Sequence, residues 1–187
     1  MAVNKNASDD DLMRAVARKD VSAFEELTAR YHKKVFAFVW RLCLNANDAE
    51  DITQEVFLKV WRFAAKFDPK ALFSTWLYKV AYNCFLDTRR RGLPVDDALP
   101  CPDDLPDTHS PEEDLEKSDV SATVLRAMEK LPARQREALV LCYYEDLTAK
   151  QACEMMNLSQ GAVEMSLFRA RQSLKETLSV LKKELSS

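Results

Sequence analysis

Thr148, Gln151, Asn157 and Ser159 punctuate one stretch of this chain, Leu147-Thr-Ala-Lys-Gln-Ala-Cys-Glu-Met-Met-Asn157-Leu-Ser159-Gln-Gly-Ala-Val163. Thr148 is placed to cap a helix, and Gln151, three residues on, completes a capping box. Asn157 falls at a sharp turn, where a left-handed backbone is needed and asparagine tolerates it. Ser159 then caps a second helix, followed by Arg169, Arg171 and Lys175. This is the spacing of a helix-turn-helix, whose second helix lies in the major groove of DNA. The chemistry it predicts is recognition rather than bond-making.

A second candidate surface runs from Lys66 to Arg91. It holds Phe67, Lys70, Phe73, Ser74, Thr75, Trp76, Tyr78, Lys79, Tyr82, Asn83, Asp87 and the run Arg89-Arg90-Arg91. Cations interleaved with aromatics suit single-stranded DNA, because rings stack on unpaired bases while cations follow the phosphates. For Trp76 a stacking surface and a core position are equally open. A third surface lies near Asp48, Glu50, Asp51, Gln54 and Glu55. Complementation of a helix dipole accounts for the first three, whereas Gln54 and Glu55 lie beyond that need and are placed to dock a basic partner.

The elements behind these surfaces read as helices. Ser8 before three aspartates starts one. Phe24, Leu27, Tyr31, Val35, Phe38 and Leu42 recur every three or four residues as a core-facing stripe. Asn47 with Glu50 reads as a cap for the next helix, continued by Ile52, Val56, Val60 and Phe63. After Pro69, Ser74 or Thr75 starts a helix through Trp76, Leu77, Val80 and Cys84. In the last helix Val163, Leu167, Ala170, Leu174, Leu178 and Leu181 share a core face. Met165, Phe168 and Gln172 lie opposite, with Glu164, Arg171 and Lys175 beside them. Apolar contact with thymine methyls explains an exposed Phe168, and a protein interface is the other reading; for Met165 both stay open.

Charge divides the 187 residues into three parts: residues 1–93 carry net +4, residues 94–119 net -9 and residues 120–187 net +2. The middle part also holds five of the seven prolines. Such a segment cannot bury enough apolar surface to offset the entropy of ordering. The expectation is an all-α chain: small helical domains over 1–93 and 120–187, joined by an acidic flexible linker over 94–119. Fully extended, the linker reaches about 85 Å, against roughly 70 Å between DNA sites two helical turns apart. A plain solvated spacer is the alternative.

Five cysteines without a C-x-x-C pair, and only His32 and His109, provide no metal-ligand spacing. Cys43, Cys84, Cys142 and Cys153 are expected reduced and mostly buried, with Cys101 in a loop. No cofactor is expected. No apolar run approaches the length of a membrane span and the N-terminus is unlike a signal peptide, so no membrane insertion and a cytoplasmic location are expected. There is no glycine-rich phosphate loop and no plausible Ser/His/Asp set, which leaves an enzyme with little support.

The stretch Asp48-Ala-Glu-Asp51-Ile-Thr-Gln54-Glu55-Val-Phe-Leu-Lys-Val-Trp61, followed by Phe73-Ser-Thr-Trp76-Leu-Tyr-Lys79-Val-Ala-Tyr-Asn83-Cys-Phe-Leu-Asp87-Thr-Arg-Arg-Arg91, resembles region two of bacterial sigma factors. Leu131-Pro-Ala-Arg-Gln-Arg-Glu-Ala-Leu139 through Arg169-Ala-Arg171 resembles region four. With only these two regions, the chain is similar to the extracytoplasmic-function group of the sigma-70 family. The resemblance implies a non-catalytic promoter-specificity subunit that binds core RNA polymerase, opens promoter DNA and is controlled by an anti-sigma factor. It implies polymerase docking by Asp51, Gln54, Glu55 and Leu58. It implies minus-ten contacts by Lys70, Phe73, Ser74, Thr75, Trp76, Lys79 and Asn83, with Arg89, Arg90 and Arg91 near duplex phosphates. Minus-thirty-five contacts would fall to Gln160, Glu164, Met165, Phe168, Arg169, Arg171 and Lys175. The linker would thread the polymerase's basic RNA exit path.

The chain departs from the family where Ala162-Val163-Glu164-Met165-Ser166 replaces the common Thr-Val-Lys-Ser-Arg. Two cations are lost and an anion is added. Glu164 can accept from cytosine N4, but beside a phosphate it is repulsive. A repressor or activator that binds duplex DNA alone is the competing reading. It leaves the aromatic-basic strip unexplained and lacks a visible dimer or effector domain.

Overall fold

The computed structural model describes residues 7–91, 116–145 and 147–185, without the side chains of 116–122 and 181–185. Among them every regular element is helical, and no helix is long and apolar enough to cross a membrane. The chain divides into two compact units, Met1–Pro106 and Asp107–Ser187. The division falls inside the segment read as a linker, most of which, with Cys101 and His109, lies outside the described residues. Its last four residues do not: they belong to a helix that begins at Glu116.

In the first unit, α1 (Asp9–Ala17) starts as expected, with the Ser8 side chain accepting from the Asp11 N–H. It buries Leu12, Met13 and Val16 against α2 (Val21–Cys43). The α2 stripe holds at Leu27, Val35, Phe38 and Leu42, all fully buried, while Phe24 and Tyr31 are half-buried. Helix α2 ends on Leu44 in the left-handed region, φ 60°, its N–H bonded to the Trp40 carbonyl. The next helix, α3 (Ala46–Phe63), is capped by Asn45 rather than Asn47: the Asn45 side chain accepts from the Asp48 N–H at 3.0 Å. A 3-10 turn, Ala64–Lys66, follows. Helix α4 (Phe73–Arg90) starts one residue before Ser74, on Leu72 and without a side-chain cap. Helices α2, α3 and α4 pack pairwise around one core.

In the second unit, α5 (Glu116–Glu129), α6 (Ala133–Leu139) and α7 (Ala149–Met156) pack on α8 (Gln160–Leu185). A π turn, Val140–Tyr144, extends α6. The helix-turn-helix forms on its own punctuation. Thr148 and Gln151 make the capping box, Asn157 adopts φ 53°, ψ 48°, and the Ser159 hydroxyl accepts from the Ala162 N–H. On α8 Val163 and Ala170 are fully buried; Leu167, Leu174 and Leu178 are half-buried. The Leu181 side chain lies outside the described residues.

Among the described residues four cysteines form no disulfide: Cys84 is buried, and Cys43, Cys142 and Cys153 are half-buried. Burial pushes the Cys84 and Cys142 thiols up, which keeps them protonated near neutral pH.

Candidate nucleic-acid interface

Helix α3 turns its outer face to solvent, opposite its buried Ile52-Val56-Val60 stripe. Asp51, Gln54, Glu55 and Leu58 all lie on that face, and Leu58 is 50% exposed. Two of the polar groups are held in place. Gln54 donates to Glu50 at 3.2 Å, and Glu55 lies 4.0 Å from Lys59. Lys59 also reaches Asp87 of α4 at 3.5 Å, tying the two helices together near the strip.

Beside that tie a groove of about 600 Å³ opens between the end of α3 and the outer face of α4. Trp76, Val80, Asn83, Asp87 and Arg90 line it from α4, at helical intervals of three or four. Phe63 and Lys66 close the other side, with the Lys66 ammonium 5.0 Å from the Phe63 ring centre. The volume lies in the range of pockets that take small, flat ligands. Its rings, amide and cations match what an unpaired base offers, a π face, hydrogen-bonding edges and a phosphate, while Asp87 sets one carboxylate in the same lining beside Arg90.

Trp76 is half-buried. It packs against Phe67 at 5.5 Å and Phe73 at 6.1 Å while also facing the groove, so both readings of this residue hold in part. Phe73 requires a correction. It is only 3% exposed, edge-on to Tyr31 and Phe67, and it presents no face to a base. Tyr78 and Tyr82 of the same strip are also core, because α4 turns them toward α2 and α3. Lys70, Lys79, Asn83, Arg89, Arg90 and Arg91 are exposed, and Ser74 and Thr75 are half-buried. Arg89 lies over the Phe85 ring at 5.4 Å, and Arg90 is 3.9 Å from Asp87.

Phe63 is the residue the periodicity misplaced. It continues the core stripe in sequence, yet it is 42% exposed at the groove rim, because α3 ends there and the chain tightens into the 3-10 turn. The cation three residues on, Lys66, was the available signal.

The start of α4 is braced from behind. The Tyr31 hydroxyl donates to Asp9 at 2.5 Å, and Asp9 also accepts from Arg30 at 3.0 Å. The Tyr31 ring meets Phe73 edge-on at 5.1 Å. Burial first, then the bond to Asp9, pushes the Tyr31 hydroxyl well above the usual phenol range.

On α8 a stripe at helical spacing joins Gln160, Glu164, Phe168, Arg171 and Lys175, all exposed or half-buried, with Met165 and Arg169 flanking it. Phe168 is 61% exposed and Met165 49%. Gln160 donates to Glu164 at 2.8 Å. The Arg171 guanidinium lies 5.1 Å from the ring centre of Tyr143 and donates to its hydroxyl. Tyr143, presented by the π turn, was not foreseen from the sequence.

Two compact helical units, one grooved and cationic and the other a helix-turn-helix, define a DNA-binding class of protein. Family models place it further. Sigma-70 region 2 matches residues 27–92, and Sigma-70, region 4 matches residues 121–174. The chain is 31% identical to the RNA polymerase sigma-H factor of Pseudomonas aeruginosa over 94% of this chain and 96% of that protein. It is also 31% identical to the ECF RNA polymerase sigma factor RpoE of Cereibacter sphaeroides, covering 90% and 93%. Its fold is shared with the sigma factor RpoE of Bartonella quintana, solved in complex with the anti-sigma factor NepR. There the TM-score is 0.63 and the identity 24%, over 84% of this chain and 97% of the other. The chain belongs to the extracytoplasmic-function sigma factors of the sigma-70 family, the promoter-specificity factors of bacterial RNA polymerase.

Proposed function

We propose that this chain opens promoters by drawing an unpaired base of the minus-ten element into the α3–α4 groove. Phe63 and Trp76 flank the base, Asn83 meets its edge, and Lys66 and Arg90 neutralise the adjoining phosphates. Extruding a base costs a few kcal/mol. Stacking on aromatic side chains returns about 1–3 kcal/mol per base, so one captured base roughly offsets the disruption. Lys70, Ser74, Thr75 and Lys79 follow the opened strand, and Arg89, Arg90 and Arg91 hold the duplex beside it. Asp51, Gln54, Glu55 and Leu58 dock core polymerase. The α8 stripe of Gln160, Glu164, Phe168, Arg171 and Lys175, with Met165 and Arg169, binds the upstream element.

In this reading the chain performs no chemistry of its own; the polymerase supplies it, in the cytoplasm. An anti-sigma factor restrains it by covering the polymerase-binding faces; a structural relative, the sigma factor RpoE of Bartonella quintana, is solved in complex with the anti-sigma factor NepR. The reading rests on the groove, which brings Phe63, Trp76, Asn83, Lys66 and Arg90 to one site. Run-off transcription with purified core polymerase tests it. Promoter-specific transcripts that require both components support it. Tight duplex binding without polymerase, and no initiation with it, would replace it with a free-standing regulator.

A further inference from the structure

An anion on a DNA-reading helix needs a reason. Glu164 lies in the second turn of α8, exposed, on the same stripe as Phe168, Arg171 and Lys175. Turned toward a phosphate it repels; turned toward a base edge it is a strong acceptor. It is bonded to an amide: Gln160 Nε2 donates to Glu164 Oε1 at 2.8 Å, across one helical turn. That bond occupies one carboxylate oxygen, narrows the rotamers of the side chain and leaves the second oxygen to accept elsewhere. Gln160 is the first residue of α8, the end from which recognition helices reach base edges.

We propose that Gln160 and Glu164 act as one hydrogen-bonded unit that reads cytosine in the upstream promoter element, an inference that rests on the promoter-binding reading above. In the major groove cytosine offers an amino donor and no acceptor of its own. Thymine O4 and guanine O6 and N7 face a carboxylate with lone pairs, and adenine sets N7 next to its amino group. Glu164 Oε2 accepts from cytosine N4 and is repelled by the alternatives. Gln160 is the positioning residue: it holds the carboxylate pointed at the base edge rather than at the backbone. The cations that attract phosphate, Arg171 and Lys175, lie two and three turns further along the helix. The substitutions that remove the usual cations here therefore exchange backbone attraction for base selectivity.

The test uses the full chain bound to core RNA polymerase and a duplex library randomised over both promoter elements, with bound DNA sequenced. Wild type is expected to enrich cytosine at one upstream position. Glu164→Gln is expected to cut that enrichment about tenfold and move it toward adenine, which an amide pairs through N6 and N7. Gln160→Ala is expected to weaken it in part while leaving the selected minus-ten bases unchanged. Both positions are exposed, so neither change threatens the fold. The inference is overturned if wild type and Glu164→Gln select the same upstream bases, or if the position that responds to Glu164 prefers another base. A holoenzyme that selects no sites at all overturns the promoter-binding reading itself, and this inference with it.

Discussion

Arg171 of α8 lies across the ring of Tyr143, 5.1 Å from guanidinium carbon to ring centre, and donates to its hydroxyl. The arrangement restrains an exposed cation that would otherwise sweep many rotamers. Tyr143→Ala should release it and weaken upstream-element binding by about 1 kcal/mol, the scale of an exposed cation–π contact. Tyr143→Phe, which keeps the ring, should retain most of the affinity. Titration of holoenzyme against a promoter duplex distinguishes the two variants.

Phe63 and Phe73 look interchangeable in sequence and should behave oppositely. Phe63→Ala removes an exposed ring from the groove and should weaken binding of a minus-ten single strand by about 1–3 kcal/mol, with little change in melting temperature. Phe73→Ala empties a core site and should destabilise the first unit by about 3–5 kcal/mol. Thermal melts paired with oligonucleotide binding separate core from interface.

Tyr31 titrates late because it is buried and bonded to Asp9. Above a pH of about 10 the unfolded chain sheds this proton and the folded chain keeps it. The unfolded state then binds fewer protons than the folded one, so stability falls as pH rises past that point. Rising pH therefore strengthens the drive to unfold. Tyr31→Phe should cost about 1 kcal/mol at neutral pH through the lost hydrogen bond, yet show a shallower loss between a pH of about 10 and about 11. Denaturant unfolding of both proteins across that window tests the sign.

Glu164→Lys replaces an anion with a cation on the exposed α8 stripe proposed to bind DNA. Nonspecific affinity should rise, and the slope of log K against log salt should steepen by about 0.9 if one phosphate contact is gained. An unchanged slope across a salt series would mean that position 164 stays clear of the backbone.

At Asn157, φ 53° suits asparagine or glycine and penalises β-branched residues. Asn157→Gly should be nearly neutral, whereas Asn157→Val should cost about 1–2 kcal/mol. Unfolding followed by a probe in the second unit decides between them.

What was legible in the sequence was whatever only certain residue types can do. The capping box at Thr148 and Gln151, the left-handed Asn157 and the Ser159 cap were all readable, because few side chains serve at those positions. The elements that went astray lack such a requirement. Asn45 and Asn47 are two residues apart and equally suited to cap α3, and only the built helix distinguishes them. Helix α4 starts on Leu72 with no side-chain cap, so no residue type announced it. Leu44 closes α2 in the left-handed region although leucine disfavours it, held by its bond to Trp40. Aromatic identity alone separated neither Phe73 nor Phe63, since exposure depends on where a helix stops.

The wide turn at Val140–Tyr144 contains one residue more than a regular helix needs. Deleting a single codon between Val140 and Tyr143 would let the turn close to ordinary pitch and move Tyr143 to a different position on the helix. Tyr143 would swing out of register with Arg171, although no side chain had been altered. Chain length at this point is thus as much an inherited character as any amino acid, and a descendant one residue shorter would have to find its arginine a different anchor.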